Sequence, residues 1–296
     1  MRYITNMRLA VAGTVALIAA PLIVGAPAVA DDDVAPSEAP FVAAQQNLGL
    51  SDVDAAQLHP GISVSADRRG AAVSLGDFEV TVASETDQQT STTVLADGAR
   101  VMSLLVEGQT STNFRVDVPE NVSLVPAAGG FDLVGDAAGT KVTLGRIHEP
   151  WAIDAEGKQL PTSYSLEGNV LIQRVDTTGA VFPVVADPAV TAGWGADGPG
   201  VYWNMYGYQM KTIQGVTASA LGAALAGGCA GASKIPSVGG IISALCGFIG
   251  APTLGSIWGA IQNILSNPNI DNFTCYQTKV VPIGSGPHPT GGGDCA

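Results

Sequence analysis

The chain has little of what acid–base catalysis needs. Only three histidines, His59, His148 and His288, occur among its 296 residues. His59 precedes a proline, His288 stands between prolines, and His148 lies in "GRIHEPW". No GxSxG, no HExxH and no Gly-rich loop leading into Lys-Ser or Lys-Thr is present, so nucleophile-elbow hydrolysis, zinc proteolysis and nucleotide binding have no motif to rest on. His148-Glu149 is the one pair a hydrolase could use, and it lacks a second ligand or base motif. The expectation is a non-enzymatic protein without cofactor or metal.

Basic residues are scarce as well: 13 Lys and Arg stand against 26 Asp and Glu, a net charge of −13. That balance argues against nucleic acid as a partner and against electrostatic binding to anionic lipid. The deficit is uneven. Residues 31–190 carry 23 acidic and 8 basic side chains, whereas residues 191–296 carry three of each. Two compositional regimes predict two structural units.

Cysteine is absent until residue 229, and the four present, Cys229, Cys246, Cys275 and Cys295, all fall in the neutral half. Their spacing has no CxxC pair, which a structural zinc site would ordinarily show, so two disulfides are expected and zinc is the alternative. Disulfides fit an oxidising compartment. The N-terminus agrees: Arg2 and Arg8 precede an uncharged apolar run, and Ala28-Val29-Ala30 precedes three aspartates. This order predicts a signal peptide over 1–30, cleaved after Ala30, and a secreted product. A retained anchor is the alternative, although the apolar run of about 17 residues is at the lower limit for spanning.

What is present begins with an acidic, Pro-containing stretch over 31–61, read as a short helix and linker, with a weak helix start at Ser51 and Asp54. From Ile62 the pattern changes to period two. "ISVSAD", "AAVSLG", "FEVTVAS" and "NFRVDVP" alternate apolar with polar residues, separated by turn material such as "ADGA", "PENV" and "LEGN". This predicts an acidic antiparallel all-β domain over 62–190, a sandwich or hairpin array. Phe78, Val80 and Val82 should share one face, as should Phe114, Val116 and Val118. Glu79, Thr81, Arg115 and Asp117 should face water. The overall class is α+β in two units, with a small disulfide-stapled helical hairpin region following the β domain.

Near the end of the β region stands Phe182-Pro183-Val184-Val185-Ala186-Asp187-Pro188. It resembles the "PVVADP" element of secreted actinobacterial proteins of unknown function, over about residues 90–190. The resemblance implies an extracellular protein and a boundary near Pro188, and it carries over no functional residue.

Residues 191–296 read as a Gly/Ala-rich helical region with a Cys-containing tail. Tyr202, Trp203, Tyr206 and Tyr208 cluster near its start, either as core or as a glycan-stacking or interfacial surface. Between Lys211 and Asp271 only Lys234 is charged. The stretch 212–233 has four larger apolar side chains, worth roughly −2 kcal/mol on an insertion scale, which its polar residues offset. The stretch 238–251 makes about 21 Å of helix against a hydrocarbon core near 30 Å. Three short helices, near 212–230, 238–250 and 253–265, are expected instead. In an antiparallel hairpin Cys229 and Cys246 lie at the same level, equidistant from the 237–238 link, so they should pair. Cys275 would then take Cys295 and anchor a tail that would be disordered if free. "NPNIDN" at 267–272 should form a turn rather than a calcium loop.

The leading functional expectation is a membrane- or surface-active hairpin in the manner of small bacteriocins. The alternative is a cell-envelope glycan- or protein-binding or structural protein.

Overall fold

The computed structural model describes residues 38–50, 62–75, 78–137, 139–215, 227–232, 234, 239–249 and 254–296. A first helix, α1 (Ala39–Asn47), carries proline in its first turn, where the missing amide hydrogen costs nothing. The helix start expected at Ser51 lies outside the described residues, as does His59.

Strands then follow at short intervals. They are β1 (Ile62–Val64), β2 (Gly70–Leu75), β3 (Phe78–Ser84), β4 (Thr90–Leu95), β5 (Gly98–Leu105) and β6 (Ser111–Asp117). Next come β7 (Val122–Ala127), β8 (Gly130–Ala137), β9 (Thr140–Ile147), β10 (Ala152–Ile153), β11 (Thr162–Glu167) and β12 (Val170–Val175). The Pro183 segment supplies β13 (Val184–Ala186), followed by β14 (Ala189–Ala192). A small hairpin, β15 (Trp194–Gly195) and β16 (Gly198–Pro199), leads into β17 (Val201–Tyr206). The helices α2 (Gly207–Gln214), α3 (Gly228–Ala232), α4 (Gly239–Ile249) and α5 (Leu254–Leu265) precede β18 (Cys275–Val281) and β19 (Pro287–Pro289). The protein is therefore mostly antiparallel β-sheet, with a few short helices and two disulfides in its C-terminal part.

Two sheets carry the architecture. One has six strands in the order β1-β2-β3-β6-β12-β11. The other has eleven: β10-β13-β5-β14-β9-β17-β18-β19 form its path, with β4 paired to β5 and the β7–β8 hairpin joined to β9. Period-two patterning explains which faces meet. Phe78, Val80 and Val82 on β3 and Phe114 and Val116 on β6 are buried in one cluster with Val101 of β5 and Leu144 of β9. Glu79, Arg115 and Asp117, at the alternate positions, are exposed, and Thr81 is half-buried. On the other side of β5, Met102 packs with Phe41 and Ala44 of α1 and with Ile153 and Val185.

The change in composition near residue 190 does not divide the fold. Residues Pro36–Ala296 form one compact unit, because β17 pairs with β9, aligning Tyr202 with Thr143, and β18 pairs with β17. Strands on both sides of the compositional step complete one sheet, since backbone pairing is indifferent to the charge of the side chains around it.

The charge-free segment is core-forming. In α4 the buried residues Ile242, Leu245 and Phe248 recur every three positions, and in α5 Ile257, Ala260, Ile261 and Ile264 follow the 3–4 spacing of one helix face. All seven belong to the same cluster as the strands. Gly135 of β8 makes room for this packing, because a Cβ there would lie 2.5 Å from the Phe248 ring. The exposed positions described are Gly240, Ser243 and Gly247 on α4 and Gly255 and Gln262 on α5. Burying each larger side chain contributes about 1.5–3 kcal/mol, which a lipid environment is not needed to supply. No helix among the described residues is long and apolar enough to cross a membrane.

The expected second and third helices match α4 and α5. The first begins earlier, at Gly207, and ends at Gln214; its expected continuation through 216–226 lies outside the described residues. Cys229 is bonded to Cys246 and Cys275 to Cys295. The C-terminal tail is ordered around the second bond: β19 pairs with β18, and the Thr290 hydroxyl donates to the Asp294 carboxylate at 2.7 Å.

Candidate functional site

The four clustered aromatics separate into two pairs. Neighbours on a strand point to opposite faces, and in β17 both faces are covered, so Tyr202 and Trp203 are buried. Tyr202 reaches the Gly198 carbonyl with its hydroxyl. Burial, with the Asp197 charge adding to it, pushes its phenol up to about 12. Neither ring is available to a ligand. Tyr206 and Tyr208 sit where β17 gives way to α2, and the chain turns outward there. Their rings stack with centroids 5.8 Å apart and planes 12° from parallel.

A third aromatic joins this surface from far along the chain. The Tyr208 amide donates to the Asn272 carbonyl at 3.0 Å, and the Gly207 amide to Thr274 at 3.0 Å. These bonds hold the backbone at Phe273 next to that of Gly207 and Tyr208. Gly207 permits the approach, since a Cβ there would lie 1.8 Å from the Asp271 carbonyl oxygen. Phe273 is 85% exposed and Tyr208 52%. The Lys211 ammonium donates to the Asn272 side chain at 2.6 Å, which places a polar edge next to the rings. Sequence reasoning passed over Phe273. Its signal was an apolar residue among Asn, Asp and Thr in a turn.

The "NPNIDN" oxygens serve the loop itself. Asn267 Oδ1 accepts the Asn269 amide at 3.1 Å, and Asp271 Oδ1 accepts the Phe273 amide at 2.9 Å. Among the described residues no group of three or more His, Cys, Asp or Glu is placed to hold a metal ion.

His148 and Glu149 part company. Glu149 is exposed and packs against the turn at Gly129. The His148 ring is half-buried, with Nε2 2.8 Å from the Thr191 hydroxyl and its centroid 6.1 Å from that of Trp194. Burial, aided by the Arg146 and Arg100 charges, pushes its pKa down to about 4. Both arginines are themselves held by carboxylates. Arg146 lies 3.3 Å from Asp132 and Arg100 lies 3.5 Å from Asp187. Burial pushes Asp132 up to about 6, with Arg146 opposing and Asp294 reinforcing, and pushes Asp187 up to about 7 against the pull of Arg100. Asp187, from the "PVVADP" element, also accepts the Trp151 amide at 3.2 Å and its carbonyl accepts the Tyr164 hydroxyl at 2.9 Å. These groups pin β5, β11 and β13 to the Trp151 segment and leave Asp187 almost no exposure.

His288 belongs to a different cluster. Its Nε2 lies 2.8 Å from Ser285 Oγ and 3.5 Å from Asp197 Oδ1, and Ser285 Oγ donates to the same Asp197 oxygen at 2.7 Å. A hydrolytic triad needs the carboxylate on Nδ1 and the hydroxyl on Nε2. Here both approach Nε2, so the cluster lacks that arrangement and ties the β15–β16 turn to the loop before β19. A shallow groove of about 350 Å³ on β1–β3 is lined by Ser63, Ala72, Thr81 and Ala83 with Asp67 and Arg69. Its charges are engaged locally: Arg69 donates to the Thr86 carbonyl, and Asp67 accepts from Ser65.

No protein-family model, curated protein or solved structure matches this chain.

Proposed function

We propose that this is an exported, non-enzymatic binding protein of the cell envelope, and that Tyr206, Tyr208 and Phe273 form its docking surface. The observation that carries the reading is the exposed aromatic surface, assembled from residues some 65 positions apart. Aromatic side chains are enriched where partners bind, because they offer a large apolar area with a polar handle. Export is supported by the Arg2–Ala30 leader pattern, by the two disulfides and by the resemblance around Pro183–Pro188 to secreted actinobacterial proteins.

A membrane-active hairpin is less well supported, because the large side chains of α4 and α5 are used in the core. Retention on purified cell wall tests the docking reading. The protein as secreted should be retained, and Tyr208→Ser/Phe273→Ser should pass through while keeping its thermal midpoint. Equal behaviour of the two proteins would remove the proposal. Leakage from neutral-lipid vesicles, caused equally by both proteins, would favour the hairpin reading instead.

A further inference from the structure

The strand edges of the two sheets are not treated alike. β1 has three residues and β10 two. Proline interrupts the donor row of β7 at Pro126 and that of β19 at Pro287 and Pro289. β4 runs beside other chain: the Ser91 hydroxyl donates to the Glu38 carboxylate at 2.6 Å and the Thr92 hydroxyl to the Arg68 carbonyl at 2.8 Å. Shortness, proline and cover are the ordinary devices that keep a sheet edge from pairing with another chain. Among the described residues β11 has none of them. It ends the six-stranded sheet beside β12, runs for six residues without proline, lysine or bulge, and keeps each residue exposed or half-buried.

The pairing shows which of its main-chain groups are open. Hydrogen-bonded and non-hydrogen-bonded residue pairs alternate along an antiparallel ladder. The Asp176 amide donates to the Pro161 carbonyl at 2.9 Å, whereas the Val175 amide turns the other way, to the Thr110 carbonyl at 2.9 Å. Ser163, Ser165 and Glu167 therefore bond to β12, and the amides and carbonyls of Thr162, Tyr164 and Leu166 point away from it. Among the described residues none of these outward groups has a hydrogen-bond partner.

A row of alternating donors and acceptors is matched by another extended strand, and this row is its own complement. A two-fold axis at Tyr164 sets that residue opposite its copy and Thr162 opposite Leu166 in both directions, so every outward amide meets a carbonyl. Ser163 then faces Ser165 of the second copy. Ser165 Oγ is buried without a hydrogen-bond partner in the single chain, and hydroxyls opposite each other across strands can supply one. Glu167, the only charge on β11, falls opposite Pro161, so no like charges meet across the join.

We infer that β11 is a self-association edge: two copies of this chain pair their β11 strands antiparallel about Tyr164 and join two six-stranded sheets into one. The edge shares no residue with the Tyr206, Tyr208 and Phe273 surface, so each reading stands or falls by its own test.

That test uses the full chain with both disulfides intact. Sedimentation equilibrium from about 1 to about 200 µM should show monomer and dimer in exchange. Thr162→Pro keeps the main-chain bonds to β12 but removes the donor from two symmetric bonds at the join, and it should raise the dissociation constant about tenfold. Single cysteines read the register. Ser163→Cys and Ser165→Cys would oppose each other as a non-hydrogen-bonded pair about 4.5 Å apart at Cα, within disulfide reach. Oxidation should link the two variants when they are mixed and neither variant by itself. A monomer at every concentration, an unchanged constant in Thr162→Pro, no link in the mixture, or equal linking of either variant alone would each overturn the assignment.

Discussion

On β3 and β6 the exposed side chains are Glu79, Ser111, Arg115 and Asp117, whereas on α4 and α5 the described exposed positions, Gly240, Ser243, Gly247, Gly255 and Gln262, carry no charge. Both regions nevertheless deliver their large apolar residues to one cluster, Val80 and Phe114 from the strands and Ile242, Leu245 and Ile261 from the helices. The difference teaches that average polarity and burial are separate properties. A segment without charge resembles a membrane span when it is a half-buried helix whose outer face is built from uncharged, mostly small residues. What marks its few large residues as core-forming is their 3–4 spacing, not the mean hydropathy.

The comparison is broken most severely by removing a side chain on which α4 rests. Phe248→Ala should cost about 3–5 kcal/mol, by lost burial and by the cavity left against Gly135. Chemical denaturation would show it as a lower midpoint with an unchanged slope. If the cost were under about 1 kcal/mol, the helices would not share the core of the strands.

Next in size is the staple. Cys229→Ser/Cys246→Ser releases a loop of sequence separation 17 and should lower stability by about 3 kcal/mol on the chain-entropy account. Calorimetry on oxidised protein and on this variant measures it, and equal melting temperatures would mean that the helices are held by packing alone.

The two regions also differ in how they respond to pH, because the displaced groups belong to the strand-rich half. Asp132 and Asp187 have folded pKa values of about 6 and about 7, above their ordinary 3.8. The folded state therefore holds their protons more tightly, and the stability they contribute is full below about pH 4 and lost as pH rises through 6 and 7. His148 acts oppositely. Its folded value of about 4 lies below the ordinary 6.5, so its contribution is lost as pH falls from 6.5 to 4. Two aspartates outweigh one histidine, so the melting temperature should fall by a few degrees between pH 5 and 7.5. Asp187→Asn, which mimics the protonated carboxyl, should flatten that slope, and an unchanged slope would contradict the assignment.

The smallest effect is the sharpest for the comparison itself. Ser243→Lys on the outer face of α4 should change stability by less than about 0.5 kcal/mol, as surface substitutions do. A large loss would show that this face is covered.

Much of the fold was legible in local pattern. The strands at Ile62, Gly70, Phe78 and Ser111 follow from alternation, and α4 and α5 follow from helical spacing bounded by Gly and Pro. The pairing of Cys229 with Cys246 was legible because a short antiparallel hairpin leaves one level at which the two can meet. The candidate site was legible only in part. Tyr206 and Tyr208 were singled out together with Tyr202 and Trp203, and nothing in the run "VYWNMYGY" shows where the strand ends and the chain turns outward. Phe273 and Trp194 were not singled out, since a lone aromatic in a turn has no periodicity to expose it.

The sequence alone determined that the acidic half is built of strands, where two of the short helices lie and which cysteines are close enough to join, because these depend on neighbours a few positions apart; the strands β15 to β19 within the region read as helical were not determined by it. Only the tertiary structure decided that β17 and β18 complete the sheet begun by the acidic half, that Tyr202 and Trp203 are core while Tyr206 and Tyr208 reach the surface, and that the backbone at Phe273 lies beside that of Tyr208. Those outcomes depend on backbone hydrogen bonds between residues some 60 positions apart, such as Tyr202 opposite Thr143 and Tyr208 on Asn272. Such bonds join peptide groups that every residue possesses, so the side-chain pattern does not announce their partners.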